Sequence, residues 1–285
     1  MNPKRLKDSQ SRTVVREMLN TFYSNKPPEY DLLNRGQAEY DAYARVVAKY
    51  AKPQGRVLDF GAGTWRSPAT IAQHKNSTVA ACDFFSEDEL TAYRTKTTEL
   101  PVSFFSYDGN TLPFDDRSFD VVSSLCVLEH VLDVDRTMSE LDRVLKPGGV
   151  FVIMGPNWSG LNNPVRGLFT TLLKRQRYWH FENSLDSIIG IPRVFLWTLE
   201  VLSAREPCFL LIQPRTKNGA IHFETGDDDC VHLCHPVSFK RWFKSKSYDI
   251  LQYNRGEGRT LIARLFNEIV PSLATTNVIV ATKNG

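Results

Sequence analysis

The residues best suited to chemistry in this chain are carboxylates and glycines that follow short apolar runs. Asp59, Gly61 and Gly63 stand in Arg56-Val-Leu-Asp-Phe-Gly-Ala-Gly-Thr-Trp-Arg-Ser-Pro68. Glycine tolerates backbone angles that other residues resist and lets a ligand approach the main chain. Pro68 suits the first turn of a helix, where a missing N–H costs nothing. A strand, a glycine turn and a helix in that order make the nucleotide pocket of doubly wound sheets, at the carboxyl ends of the strands. Asp83 closes the next apolar run, 77–82, about 20 residues beyond the turn. A carboxylate there can accept from both hydroxyls of a ribose. A dinucleotide fingerprint places a third glycine five residues after the first, and that position is Arg66.

His130 follows a further apolar run, 119–124. An imidazole past the end of such a strand can take a proton from a hydroxyl nucleophile near neutral pH. The competing reading is that Glu129-His130 shapes the turn or packs against a cofactor. Cys230, His232 and Cys234 alternate, so a strand would carry all three on one face. Zinc sites normally use chelating turns such as two cysteines with two residues between them; nothing here supplies a second pair at the usual spacing, and no metal is expected. Lys174-Arg175-Gln176-Arg177 leads into Tyr178-Trp179-His180-Phe181. The basic run suits phosphates or an anionic membrane surface, or simply a solvated helix face. The aromatic group suits the edge of a sugar or lipid, or a core.

The elements that must position these residues follow from periodicity. Val14, Val15, Met18, Leu19 and Phe22 recur at helical spacing, as do Tyr43, Val46, Val47 and Tyr50. Strands are expected over 56–60, 77–82, 102–107, 119–124, 150–154, 248–253 and 277–282. A helix is expected over 134–145, stopped by Lys146-Pro147-Gly148-Gly149, and another over 259–270. The apolar stretch 188–202 is expected to be broken by Pro192, Arg193 and Glu200. About ninety residues separate the fifth strand from the sixth, far beyond the ~15 of a structureless connection, so 157–235 reads as an inserted substructure.

Jointly, the glycine turn, Asp83, Asp108-Gly109, Leu112-Pro-Phe-Asp-Asp-Arg-Ser-Phe-Asp, Leu128-Glu-His130 and Leu145-Lys-Pro-Gly-Gly149 resemble the class I S-adenosylmethionine (SAM)-dependent methyltransferases. The resemblance implies a Rossmann-like α/β fold: a seven-stranded sheet with its last strand antiparallel, helices on both faces, and a cap inserted between strands five and six. It implies N-terminal helices over 1–55 covering the cofactor, a SAM-binding core over 56–156, a substrate cap over 157–235, and completion of the sheet over 236–285. Asp59, Gly61, Ala62 and Gly63 would line the amino-acid end of SAM. Asp83 and Phe84 would meet the ribose, and Asp108, Gly109 and Leu125 the adenine side. Trp65 stands where the family usually has a third glycine, and is expected to turn outward against the insertion.

The implied reaction is methyl transfer to a small molecule or a sugar, at oxygen, with His130 as base and Trp179, Lys174 and Arg175 meeting the acceptor. The alternatives are a nicotinamide-dependent oxidoreductase and a non-catalytic module on the same fold. A net charge of +3 is too small to argue for nucleic acid. The five cysteines, an odd number without scaffold spacing, suggest reduced thiols and a cytoplasmic setting. Neither a signal peptide nor an apolar run of the ~18 residues needed to span a membrane is expected.

Overall fold

The computed structural model describes residues 4–6, 8–27, 36–74, 77–160, 162–174, 180–224, 227–254 and 276–285. Arg175, Trp179 and the helix expected over 259–270 lie outside the described residues.

Two helices, α1 (Ser9–Ser24) and α2 (Gln37–Tyr50), precede β1 (Arg56–Phe60). Then come α3 (Arg66–His74), β2 (Thr78–Asp83), α4 (Glu87–Lys96), β3 (Val102–Ser106) and β4 (Phe119–Leu125). A 3-10 turn, Leu128–His130, leads to α5 (Val134–Val144) and β5 (Leu145–Pro156). The insertion holds α6 (Asn162–Phe169), a π turn (Thr170–Lys174), α7 (Ser184–Ser203) and a two-stranded ribbon, β6 (Thr216–Lys217) with β7 (Ala220–Ile221). The chain returns through α8 (Pro236–Ser245), β8 (Tyr248–Tyr253) and β9 (Thr276–Lys283).

The main sheet runs β3-β2-β1-β4-β5-β9-β8, parallel from β3 to β5, with β9 antiparallel to both its neighbours. Both faces are covered, so the central strands are buried almost throughout. Alternation then divides β1: Leu58 packs with α5 and α8, through Met138, Leu141, Phe239 and Trp242. Val57 packs with α2 and α3, through Tyr43, Val47 and Ile71.

Local departures from the sequence reading have physical causes. Helix α5 ends at Val144, and Leu145 already pairs with Phe119. The register resumes only at Val121 with Val150, so Lys146-Pro-Gly-Gly149 is a bulge at the mouth of β5, with Gly148 at φ +71°. Helix α7 runs unbroken through Pro192; burial of Val194, Trp197 and Val201 in a common cluster offsets the lost backbone bond. The Cys230–Cys234 segment is not a strand. It makes one isolated bridge, His232 to Leu211.

Candidate active site

A cavity of about 520 Å³ opens at the carboxyl ends of β1, β2 and β4. Its floor is Phe60, Gly61, Ala62 and Gly63, and its sides include Asp83, Phe84, Asp108, Gly109 and Leu125. Helix α1 contributes Arg16, Tyr23 and neighbours, and α2 contributes Glu39 and Tyr40.

The glycine turn is held by backbone. Gly61 N–H donates to Cys82 C=O at 2.8 Å, and Gly63 N–H donates to Asp83 Oδ2 at 2.7 Å. Gly61 and Gly63 adopt φ +71° and +64°, the left-handed region that glycine enters freely. At Gly61 there is also no room: an added Cβ would lie 2.1 Å from Val127 Cγ2. At Gly63 an added Cβ would meet nothing within 4 Å, so its hydrogen faces open cavity. Asp83 Oδ1 accepts from Phe84 N–H at 2.7 Å. Each oxygen thus takes one backbone donor and keeps lone-pair capacity for a hydroxyl. Asp108 Oδ1 accepts from Asn110 and Thr111 N–H at 2.7 and 3.0 Å, bonds that hold its carboxyl below the usual range. Phe84 is clamped between Tyr23, stacked at 5.6 Å, and Gly109, where an added Cβ would lie 3.3 Å from the ring.

Asp59 lies behind this wall, 1% exposed, and accepts from Tyr43 O–H at 2.8 Å. Burial pushes its pKa up to about 6, against the pull of Ser67 and Tyr43. It supports the turn from beneath and is not part of the cavity surface. Trp65, expected against the insertion, has its described contacts on the α4 side. It packs with Ala62, Phe85 and Leu90, under the Lys96 ammonium, because the left-handed turn at Gly63 delivers it to the α4 side.

His130 lines the cavity beside Asp227. Its Nδ1 lies 3.2 Å from Asp229 Oδ1 and its Nε2 3.9 Å from Glu129 Oε1. Burial alone would lower its pKa; Asp229, and then Glu129 and Asp227, outweigh that and raise it to about 10. The surrounding carboxylates thus favour the protonated imidazole, the form without the free lone pair that the base role expected from sequence needs. Tyr23 O–H donates to Asp229 Oδ2 at 2.6 Å, which ties α1 to the same cluster. Ligand atoms of Glu129, His130 and Asp227 lie within 4.8 Å of one another, and the imidazolium supplies the positive charge there.

The insertion is strapped to this turn. Val231 and His232 N–H donate to Glu129 C=O at 2.8 and 2.9 Å, and His232 Nδ1 lies 3.0 Å from Leu128 C=O. Burial lowers the His232 pKa to about 4 and pushes the Cys230 and Cys234 thiols up. The trio is a neutral, buried brace. Of the described insertion only Phe223 and Asp227 reach the cavity surface. Lys174 is exposed and takes no part. Sequence reasoning missed Tyr23, Asp227 and Asp229. Asp227 and Asp229 belong to an acidic run, Asp227-Asp228-Asp229, that looks like a solvated loop, and Tyr23 carries no sign of its own.

Residues 58–153 match a methyltransferase-domain family. A demethylmenaquinone methyltransferase of Chlorobaculum tepidum is 34% identical over 196 residues, covering 66% of this chain and 74% of that one. One of Streptomyces avermitilis is 37% identical over 150 residues, covering 51% of this chain and 61% of that protein. Among solved structures, the fold matches a Burkholderia thailandensis 1,6-didemethyltoxoflavin-N1-methyltransferase with bound S-adenosylhomocysteine. That match covers all of both chains at a TM-score of 0.56 and 12% identity. This chain belongs to the class I SAM-dependent methyltransferases. SAM is the cofactor of that family, and the residues here fit it: an open glycine floor, a carboxylate fixed beside it with free lone pairs, and an aromatic wall.

Proposed function

We propose that this chain transfers the methyl group of SAM to a small aromatic acceptor of the quinol class, at a ring carbon made nucleophilic by an ionised neighbouring hydroxyl. The observation that carries the reading is the place of His130, facing the cavity that the glycine turn and Asp83 line with its Nδ1 3.2 Å from Asp229 Oδ1, among carboxylates that favour its protonated form. A cation there favours an acceptor hydroxyl in its anionic form. A neutral alcohol would instead need a base, which favours carbon over the oxygen expected from sequence. Tyr23, Phe84, Tyr107 and Phe223 give the cavity flat apolar surfaces suited to a ring, and the curated relatives are named for a quinone. Both points favour a quinol over a saccharide.

Bound SAM supplies an electrophilic methyl on a sulfonium that leaves as a neutral thioether. The chain's residues provide placement and charge. Gly61, Ala62 and Gly63 admit the methionine portion, Asp83 accepts from the ribose hydroxyls, and Phe84, Asp108, Gly109 and Leu125 border the adenine. His130 stabilises the acceptor's oxyanion while the ring carbon gains the methyl. The ring then releases its proton to solvent as aromaticity returns. Phe223, Asp227 and α1 contribute the described groups on the acceptor side of the cavity.

Calorimetry with SAM, S-adenosylhomocysteine and NADH tests the cofactor. SAM and its product should bind, and NADH should not. Asp83→Ala should lose on the order of 1.5–3 kcal/mol of SAM affinity, as expected for charge-assisted bonds. Labelled SAM offered with quinols, simple phenols and sugars tests the acceptor. Label on sugars alone, or on phenol oxygen with none on carbon, would sink the quinol reading.

A further inference from the structure

The outer face of the α6–α7 pair is unlike the rest of the surface. Of the fourteen large hydrophobic side chains exposed among the described residues, twelve lie between Val165 and Leu202. Leu173, Leu185 and Leu196 are 79, 64 and 62% exposed. The pattern is ordered. In α6 and the π turn, outward apolar residues fall at 165, 169 and 172–173; in α7 they recur at steps of three and four from 185 to 202. The opposite face of α7, with Ser187, Gly190, Val194, Trp197 and Val201, is buried. Gly167 and Gly190 let both helices close on Phe181, where added Cβ atoms would lie 2.8 and 2.5 Å from the ring. The pair is thus fixed to the body by one face and apolar on the other.

We propose that this outer face docks on an anionic lipid surface. A helix apolar on all sides needs an apolar environment on all sides, and a contiguous patch of this kind marks a protein or membrane contact. The composition decides between them. Ten of the twelve residues are Leu, Ile and Val and two are Phe, with no Tyr, Trp or Met, whereas protein interfaces are enriched in aromatic residues and Met. Backbone groups within helices are largely satisfied internally and can enter an apolar phase. The link between the two helices begins with exposed Lys174 and continues in sequence as Arg175-Gln176-Arg177-Tyr178-Trp179. Basic heads and amphipathic rings between two apolar arms are the chemistry of the headgroup level. No described helix is long and apolar enough to cross a membrane. Asp186, Arg193 and Glu200 punctuate α7, so it lies along a surface rather than through it. The docking rests on this face alone and is independent of the acceptor.

Flotation of the full chain with vesicles tests it. Binding to phosphatidylcholine vesicles containing phosphatidylglycerol is expected, with weaker binding to phosphatidylcholine alone and in high salt. The double variant Leu173→Ser, Leu196→Ser should lose on the order of tenfold in partitioning while keeping SAM affinity, which reports its folding. Equal binding to both vesicle types, or full retention by the double variant, would overturn the proposal. So would a stable wild-type dimer that the double variant dissociates and that ignores vesicles. Hydrogen exchange on wild-type protein tests the same contact without a variant. Anionic vesicles should slow exchange in 162–203, and no slowing there would overturn the docking.

Discussion

Two glycines two residues apart do different work, and alanine separates them. Gly61→Ala incurs about 1–2 kcal/mol of left-handed strain and drives a Cβ to 2.1 Å from Val127, adding about 1–3 kcal/mol of overpacking. A large loss of thermal stability is expected. Gly63→Ala has the strain without the clash, so it should fold with a modestly lower Tm yet bind SAM poorly. Thermal melts and calorimetry on both variants check the pair. His130 makes a second prediction. Its folded pKa is about 10 against an ordinary 6.5, so the stability it contributes is fully present below about pH 6.5. That stability is lost as pH rises through 10. His130→Gln leaves the Asp229, Glu129 and Asp227 carboxylates without their cation. It should cost about 3–5 kcal/mol near pH 6, as for a broken buried pair, and the gap to wild type should narrow toward pH 10. Urea denaturation across that range measures it; a gap independent of pH would show that His130 is neutral.

At the scale of elements, the loop between β3 and β4 carries Asp108 and is tied to α5 through Arg143 and Glu140, the latter accepting from Leu112 N–H at 3.1 Å. Arg143 on α5 donates to Glu140, to Asp116, and to the carbonyls of Leu112 and Phe114, at 2.7–3.1 Å. Arg143→Met should therefore lower stability by about 1.5–3 kcal/mol. It should also weaken SAM binding by loosening the loop, which melts and calorimetry would record. This brace gives a physical meaning to the Leu-Pro-Phe-acid pattern, which in sequence was only a resemblance. The strand ends were legible because a parallel strand buried on both faces reads as a short apolar run. The residue after such a run, as at Asp83, falls at the sheet's working edge. The Tyr23–Asp229–His130 cluster was not legible. Tyr23 and Asp229 are 206 positions apart, and each looks ordinary alone. Pro192 misled for a related reason: local propensity marks a break, while burial of Trp197 and its neighbours on one face keeps α7 whole.

At the scale of the whole molecule, the working residues sit at one edge of the sheet, and the insertion serves that edge through a short strap, 227–235. The helical pair before the strap supplies none of the described cavity lining, so the described insertion divides into a part that meets the cavity and a part that faces outward. The strand order carries a separate consequence, for the path by which the chain assembles. β9 lies between β5 and β8 although it follows both in sequence, and β8 has no other partner in the sheet. Until β9 arrives, β5 and β8 stand one strand's width apart, each presenting an unpaired edge. The packing of α8, through Phe243 against Phe151 and Tyr248, bridges them, as does the Tyr248 bond to Asp142 of α5. Closure of that slot is a late, non-local event. The partly assembled chain carries two open strand edges together, the condition under which folding intermediates join one another instead of themselves.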